Sequence, residues 1–145
     1  MRILIQRVKQ AKVEVEEKTI GQIGPGLMLF VCFEASDDET AIELACEKIL
    51  KLRIFEDENG KMNKSILDVQ KEILSISQFT LSWDGKKGHR PSFDKSMQPQ
   101  NAKIFYKLFN DELEKRIATI QKGQFGADMQ VFSQNDGPVT FMLEF

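Results

Sequence analysis

Histidine, cysteine and tryptophan are scarce in this chain of 145 residues, and their scarcity excludes several kinds of site. His89 is the only histidine, and the two cysteines, Cys32 and Cys46, form no CxxC pair. A structural zinc site needs about four Cys or His ligands, so we expect no bound metal. The sequence also lacks Walker, GxGxxG and HExxH motifs, so we expect no cofactor. Both cysteines are expected to be buried and unreactive, since one lies in an apolar run and the other on a predicted helix.

Long apolar runs and an excess of positive charge are absent as well. The longest apolar run covers residues 27–33, far short of the roughly 20 residues that a membrane-spanning helix needs. Arg2, Gln6 and Arg7 interrupt the apolar pattern at the start, so no signal segment is predicted. The 20 basic residues are outnumbered by 22 acidic ones, so a nucleic acid could be bound only through a local basic patch. We expect a cytoplasmic protein without membrane contact, built as one domain over residues 1–145 because no linker or repeat divides the chain.

Apolar periodicity predicts a chain dominated by strands. The predicted strands are residues 3–8, 12–16, 19–23, 27–33, 53–55, 73–79, 129–132 and 139–145. A capping box from Ser36 to Glu39 predicts a helix that continues to Leu52, and apolar residues at helical spacing from Ala102 to Ile117 predict a second one. Because strands outnumber helices, we expect a β-rich α/β domain: a twisted sheet or barrel of about seven or eight strands with two main helices packed against it.

The polar segment of residues 80–99 is predicted to be a long loop with a local excess of positive charge. Trp83 and Phe93 interleave with the charges, a composition that suits phosphates and stacked bases. The alternative is a solvated loop that these two aromatic side chains fix to the core. His89, within this loop, suits an exposed contact better than a catalytic base. From Asp84 to Lys103, the basic residues are Lys86, Lys87, Arg90, Lys95 and Lys103, and the acidic ones are Asp84 and Asp94.

Polar residues interrupt two segments where apolar residues would pack better. In the segment 75–81, two serines, Gln78 and Thr80 cluster where a central strand ends, and strand ends are favoured places for reactive or binding groups. The segment 135–140 contains Gly137-Pro138 between two predicted strands. X-Pro bonds are cis in only about 5–6% of folded cases, so periodicity alone predicts a trans bond in an ordinary hairpin turn.

Six ordered motifs carry a resemblance to a known family. They are QRV at 6–8, LRIFED at 52–57 with GKMN at 60–63, SQFTL at 77–81, RPSF at 90–93, FGADMQV at 125–131 and NDGPVT at 135–140. This pattern closely resembles the D-aminoacyl-tRNA deacylase family, the chiral proofreading enzymes of translation. The resemblance runs from the first predicted strand to the last. It departs locally at Ser82-Trp83-Asp84 and at His89, which affects the expected contacts to the tRNA acceptor stem rather than the pocket.

The resemblance implies a cytoplasmic homodimer that hydrolyses the ester between a D-amino acid and the 3′-terminal adenosine of tRNA. It implies that Ser77 binds substrate in a pocket where Gln78, Phe79 and Thr80 are catalytic. It also implies a cis bond at Gly137-Pro138, which would reach into the partner subunit's pocket and reject L-aminoacyl-tRNA. Arg7 and Met129 match positions near that pocket. The expected partners are aminoacyl-tRNA, through its 3′-terminal adenosine and acceptor stem, and a second copy of the chain.

The mechanism is open between two routes at this stage. Thr80 could form an acyl-enzyme, but a threonine nucleophile needs an activating base, and residues 77–81 supply none. The favoured route lets the 2′-hydroxyl of the terminal ribose assist water, with the N–H groups of Phe79 and Thr80 stabilising the oxyanion. Glycyl-tRNA is then an expected second substrate, because glycine has no β-carbon to exclude. The alternatives in function are a tRNA-binding module without hydrolytic activity and a general esterase.

Overall fold

Strands dominate the structure, and a six-stranded mixed sheet bends into a nearly barrel-shaped body. The computed structural model describes residues 1–86 and 88–145, and these ranges contain eight strands and three α-helices. The strands are β1 (Arg2–Val15), β2 (Lys18–Ile23), β3 (Gly26–Cys32), β4 (Phe55–Glu56), β5 (Met62–Lys64), β6 (Glu72–Ser77), β7 (Ile120–Lys122) and β8 (Gln130–Glu144). The helices are α1 (Glu39–Lys51), α2 (Ile66–Val69) and α3 (Pro99–Glu114), and a 3₁₀ turn covers Phe79–Ser82.

The long strand β1 organises the sheet. Its first half pairs with β3 and its second half with β2, while β8 runs antiparallel along almost its whole length. The strand order is β2-β1-β3-β6-β7, and the pairs β3–β6 and β6–β7 are parallel. The short strands β4 and β5 form a separate hairpin. The predicted β-rich α/β fold is confirmed.

The core has two parts, one on each face of the sheet. Ile5 and Leu29 belong to the larger part, which the apolar sides of α1 and α3 cover. Val13 and Met28 belong to the smaller part, inside the bend of the sheet. Successive residues of a strand point to opposite faces, so β3 buries both of its faces, as its continuous apolar sequence predicts. Within the described residues, no helix is both long and apolar enough to cross a membrane.

Two pairs of predicted strands are single strands in the structure. The separation predicted between strands 3–8 and 12–16 is wrong, because β1 continues through Lys9 and Gln10, whose side chains are exposed. The hairpin turn predicted at Gly137-Pro138 is also wrong, since β8 continues past this point with an interrupted register. Exposed polar residues break the apolar periodicity in both places without ending the strand.

Other differences concern the ends of elements and short elements. Helix α1 begins three residues after Ser36, because the side chain of Asp38 caps it by accepting a hydrogen bond of 3.1 Å from the Ala41 N–H. The strand predicted at 53–55 is shifted to Phe55–Glu56, the strand predicted at 73–79 ends at Ser77, and the helix predicted to reach Ile117 ends at Glu114. The sequence pattern missed β5, α2, β7 and the 3₁₀ turn, all of which have three or four residues.

We expect replacement of Gly26 with alanine to disrupt the pairing of β3 with β6. A Cβ at Gly26 would lie 2.0 Å from the carbonyl oxygen of Glu72, and a main-chain atom cannot rotate away as a side chain can. The free energy of unfolding, measured by urea denaturation, should fall by about 3 kcal/mol. Gly24→Ala is the control, since its Cβ would meet no atom closer than 3.5 Å. Equal losses in the two variants would contradict this explanation.

Candidate active site

A cavity of about 600 Å³ opens at the carboxyl ends of the parallel strands β3 and β6. The two strands end side by side because Val31 pairs with Ser77. The N–H of Gln78 then donates a hydrogen bond of 2.8 Å to the carbonyl oxygen of Val31, which holds the two chain ends together. Ligand sites are common outside the carboxyl ends of parallel strands. The cavity therefore lies where the topology favours binding.

Four segments of the chain line the cavity. They are the end of β3, the end of β6, the segment from Phe93 into the first turn of α3, and the segment that leads into β8. Most of the lining is apolar, with a few polar groups directed inwards, as is typical of small-molecule sites. The lining residues are Val31, Cys32, Phe33, Ile76, Ser77, Gln78, Phe79, Phe93, Ser96, Met97, Gln98, Pro99, Ala102, Phe125, Gly126, Ala127, Asp128, Met129 and Val131.

The 3₁₀ turn places Phe79 at the cavity and Thr80 beside it. Phe79 is 55% exposed, and its ring packs edge-on against Phe93 with 5.0 Å between the ring centroids. The hydroxyl of Thr80 accepts a hydrogen bond of 2.7 Å from the side-chain amide of Gln78. The main-chain N–H groups of Phe79 and Thr80 donate no hydrogen bond to any residue that the structure describes. These two N–H groups are therefore available to bind an oxygen of a ligand.

The described residues around Thr80 include no activating base in contact with its hydroxyl. Its described side-chain partner is the amide of Gln78, which cannot accept a proton as a general base does. The side chain of His89 is not among those that line the cavity. Asp128 is the one lining residue, among those described, with a charged side chain. Within the described part of the chain, the hydroxyl of Thr80 thus has no contact that would activate it as a nucleophile.

The thiol of Cys32 also lines the cavity but is not activated as a nucleophile. It is buried and donates a weak hydrogen bond, 3.4 Å long, to the carbonyl oxygen of Phe79. Burial raises the pKa of this thiol to about 11, and burial likewise raises the pKa of Cys46 to about 12. A thiol must be ionised to act as a nucleophile. Both cysteines are buried, as the sequence predicts.

A second group of site residues, around Arg7, lies apart from the cavity. Gln6 pairs with Thr140 and Val8 with Asn135, so residues 136–139 of β8 bulge out opposite the single residue Arg7. The Arg7 guanidinium is buried and donates hydrogen bonds to the carbonyl oxygens of Asp136, at 3.2 Å, and Ile54, at 2.6 Å. Arg7 therefore joins the bulge to the segment that enters β4.

Asn135, which directly precedes the bulge, connects its two ends. Its side-chain oxygen accepts a hydrogen bond of 2.9 Å from the N–H of Val139, and its amide nitrogen donates one of 3.0 Å to the hydroxyl of Thr140. Buried or paired polar groups of this kind fix a backbone shape more firmly than apolar contacts do. The bulge is thus held from both sides, by Arg7 and by Asn135.

Gly137 and Pro138 form the tip of this bulge and are exposed. The bond between them is cis, as the resemblance implies, and Gly137 has a φ of +133°. A Cβ on Gly137 would lie 2.7 Å from Cγ2 of Val139, so glycine is required both by the backbone angle and by the space. Of the described residues, neither Gly137 nor Pro138 lines the cavity of its own chain.

The basic loop, which comprises residues 80–99, lies partly at the cavity and partly in solvent. Phe93 packs against Phe79, whereas Trp83 is 39% exposed. Asp84 accepts a hydrogen bond of 3.1 Å from the N–H of Lys86 and pairs with Lys95 at 3.3 Å. These two contacts, the hydrogen bond from Lys86 first, lower the pKa of Asp84. His89 and Arg90 are exposed, and the predicted contact through Lys87 lies outside the described residues.

The structure thus brings four of the predicted residues to one cavity and sets the others apart. Ser77, Gln78, Phe79 and Met129 line it, with Thr80 adjacent. Sequence reasoning missed the contributions of β3 and of the start of α3. The end of β3 could have been found from its apolar run, because two buried parallel strands end at the same edge of a sheet. The start of α3 carries no comparable signal.

Comparisons with known proteins agree with the motifs. A sequence profile of the family described as D-Tyr-tRNA(Tyr) deacylase matches residues 4–144. The chain is 50% identical over 144 residues to a D-aminoacyl-tRNA deacylase of Lactobacillus acidophilus, with 99% of each chain covered. It is 51% identical to one of Clostridium kluyveri, with 99% of this chain and 97% of that one covered. A solved structure named c-Myc DNA Unwinding Element Binding Protein matches with a TM-score of 0.96 at 43% identity, covering 100% of this chain and 99% of the other.

We expect neither thiol of the folded protein to react with Ellman's reagent at about pH 8, because both thiols are buried and protonated at that pH. The pKa values of Cys32 and Cys46 lie near 11 and 12. After unfolding in guanidinium chloride, both cysteines should react within minutes, which provides the internal control. Rapid reaction of one thiol before unfolding would point to Cys32, since that thiol lines the cavity. It would contradict the burial of Cys32 described above.

Proposed function

Because the chain belongs to the D-Tyr-tRNA(Tyr) deacylase family, we propose that it hydrolyses the ester between a D-amino acid and the 3′-terminal adenosine of tRNA while sparing the L-ester. The chain is a D-aminoacyl-tRNA deacylase and thus a hydrolase. One structural observation carries the site assignment: Ser77, Gln78 and Phe79 line a cavity at the ends of two parallel strands. The whole chain, residues 1–145, is proposed to act as one catalytic domain.

The size and lining of the cavity support its assignment to the aminoacyl end of the tRNA. A volume of about 600 Å³ falls within the range that accommodates small ligands. The exposed ring of Phe79 and its neighbour Phe93 offer faces on which an adenine base can stack. Ser77 and Gln78 supply polar groups for the ribose and the ester, and Met129 supplies apolar contact. We assign these residues to substrate binding, with Gln78 and Phe79 next to the reacting ester.

The proposed chemistry uses main-chain donors and the substrate's own 2′-hydroxyl. The N–H groups of Phe79 and Thr80 have no protein partner among the described residues, so they can bind the oxyanion that forms when water attacks the ester carbonyl. The 2′-hydroxyl of the terminal ribose assists that water, since Thr80 contacts no base among the residues that the structure describes. The ester C–O bond then breaks, and the 3′-oxygen of the ribose leaves with a proton. The amino acid is released with the hydroxyl of the water.

The bulge tip at Gly137-Pro138 is proposed to read the handedness of the amino acid. It is exposed, it does not line its own cavity, and Arg7 and Asn135 hold it rigidly. Rigid carbonyl groups beside the α-carbon can exclude every L-side chain by steric contact, whereas a pocket for the side chain would select one amino acid. A tip of this kind can serve only a pocket brought to it by a second copy of the chain.

Exposed apolar side chains on β8 support a homodimer in which each tip reaches the partner's cavity. Phe132, Phe141 and Met142 are between 39% and 48% exposed, and exposed apolar surface of this kind commonly marks an interface. The basic loop with Lys86 and Arg90 lies near the cavity through Phe93 and is proposed to contact the acceptor stem of the tRNA. Because charged tRNA occurs where translation takes place, we assign the protein to the cytoplasm.

Hydrolysis of three esters should reveal the chiral selection. With purified protein and labelled D-tyrosyl-tRNA, L-tyrosyl-tRNA and glycyl-tRNA, we expect the D-ester and the glycyl ester to be cleared and the L-ester to persist. Glycine presents no β-carbon, so a tip that excludes side chains on the L-face does not exclude it. The measurement is release of label against a control without enzyme. Persistence of glycyl-tRNA at enzyme levels that clear the D-ester would refute the steric explanation.

A pair of glycine variants connects the selection to the bulge. Gly137→Ala should abolish hydrolysis of the D-ester, because the new Cβ would clash with Val139 and displace the tip. Gly60→Ala also places alanine at a positive φ, but in open space, and should retain full activity.

Equal hydrolysis of D- and L-esters by the unaltered protein would indicate a general esterase, and binding of tRNA without turnover would indicate a binding module.

The route of hydrolysis can be decided at Thr80. We expect Thr80→Ala to keep turnover of D-tyrosyl-tRNA within about tenfold, because the N–H of residue 80 is retained and only the hydroxyl is lost. The measurement is the rate constant of ester hydrolysis under single-turnover conditions. Thr19→Ala is the control, since the Thr19 hydroxyl is exposed and contacts a side chain, that of Glu14, far along the sheet. A loss of about 10³-fold or more, the size expected for a lost nucleophile, would instead establish an acyl-enzyme.

A further inference from the structure

We infer that Arg2, at the start of β1, is a positioning residue that fixes the 3₁₀ turn carrying the proposed oxyanion donors. This inference rests on the proposed function of that turn. None of the motifs includes Arg2, and the residue does not line the cavity. Its effect on the reaction would therefore pass through the main chain of the turn rather than through contact with substrate.

Arg2 reaches the turn directly. Its Nη1 donates a hydrogen bond of 3.1 Å to the carbonyl oxygen of Leu81, across 79 residues of sequence. Leu81 directly follows Thr80, so its carbonyl belongs to the same short turn as the N–H groups of Phe79 and Thr80. A rotation of this turn would redirect both donors. Among the described contacts, Arg2 supplies the side-chain hydrogen bond to the part of the turn that follows Phe79.

Two carboxylates hold the Arg2 guanidinium in place. Its Nε lies 3.3 Å from Oε1 of Glu34 and 3.6 Å from Oε1 of Glu144. The side chains of Arg2 and Glu34 are only 18% and 19% exposed, whereas that of Glu144 is 67% exposed. An ion pair that is largely removed from water is screened less than one at the surface. Glu34 is therefore the principal partner and Glu144 a lesser one.

Glu34 also connects Arg2 to the opposite side of the cavity. Its main chain forms an isolated antiparallel β-bridge with Ser96. Next to this bridge, the N–H of Ala35 donates to the carbonyl oxygen of Lys95 at 2.9 Å, and the N–H of Met97 donates to the carbonyl oxygen of Phe33 at 3.0 Å. These bonds fix the segment that presents Phe93 to Phe79. Arg2 thus joins the two sides of the cavity mouth, one through the carbonyl of Leu81 and the other through Glu34.

The remaining ties of the turn are weaker near Thr80 than near its start. Gln78 is held by a main-chain hydrogen bond of 2.8 Å to Val31, and the carbonyl of Phe79 accepts a contact from the Cys32 thiol at 3.4 Å, a weak donor. Beyond Phe79, the described side-chain hydrogen bond to the main chain of the turn is the one from Arg2 to Leu81. Displacement of reacting groups by about 1 Å can cost as much as 10²-fold in rate. Loss of Arg2 should therefore lower kcat more than it weakens binding.

The test is Arg2→Met in the full-length protein with D-tyrosyl-tRNA as substrate. We expect kcat to fall by about tenfold to hundredfold and KM to change by no more than about threefold, since the cavity lining is intact. Arg2→Lys keeps the pairing with Glu34 and should recover part of kcat. Trp83 is the only tryptophan in the chain, and its main-chain N–H donates to the carbonyl oxygen of Thr80. Quenching of its fluorescence by acrylamide therefore reports directly on the turn. Quenching should increase in Arg2→Met well below the melting temperature.

Arg116→Met is the matched control, because Arg116 pairs with Glu112 at the far end of α3 and loses the same charge. It should leave kcat and the quenching of Trp83 unchanged. A kcat of Arg2→Met within about twofold of the unaltered protein would overturn the inference, as would equal losses in the two variants. Failure of the unaltered protein to hydrolyse D-tyrosyl-tRNA would overturn the proposed function instead, so the two failures are distinguishable.

Discussion

The parallel pairing of β3 with β6 is the interaction on which the candidate site depends. Its register sets Val31 beside Ser77, so two buried strands end at the same level and their main chains leave the sheet together. The closeness of the pairing requires Gly26 at its other end, where a side chain would collide with Glu72. Parallel strands cannot be joined by a tight turn, and the connection between them contains α1, the β4–β5 hairpin and α2. The same connection covers the larger core and holds the hairpin against Arg7.

The sequence predicts the class of fold better than the continuity of its strands. The apolar run at 27–33 and the helical spacing at 42–52 identify β3 and α1 because burial dictates both patterns. The continuity of β1 and β8 could not be read from periodicity. Lys9 and Gln10 are exposed on a strand whose hydrogen bonds continue, and backbone pairing leaves no trace in side-chain polarity. Elements as short as β7 contain too few residues for any period to appear.

The candidate site was predicted in part by chemistry and in part by resemblance. Hydroxyl and amide groups at the end of a central strand mark residues 77–80 as a place for function, and the structure puts three of them on the cavity. Spacing could not reveal that Phe93 and the start of α3 close the same cavity, since this contact is made by chain segments that meet only in the folded state. Local reasoning marks the segment 135–140 but predicts an ordinary turn at Gly137-Pro138, without a role for it. The resemblance supplied that assignment, and the rigid, exposed bulge is consistent with it.

The arrangement of charge along β1 explains how a site built largely from main-chain groups can be rigid. Main-chain N–H and carbonyl groups suit the proposed proofreading activity because they can recognise what all substrates share, but they are only as precise as the backbone that carries them. Arg7 donates to the carbonyl oxygen of Asp136 in the bulge, and Arg2 donates to the carbonyl oxygen of Leu81 in the 3₁₀ turn. Two guanidinium groups on a single strand, directed to opposite faces because of the strand's alternation, thus hold both candidate elements. A guanidinium is well suited to this task, since its planar donors stay charged and bond to carbonyl oxygens in fixed directions. The strand that organises the sheet therefore also sets the geometry of the site.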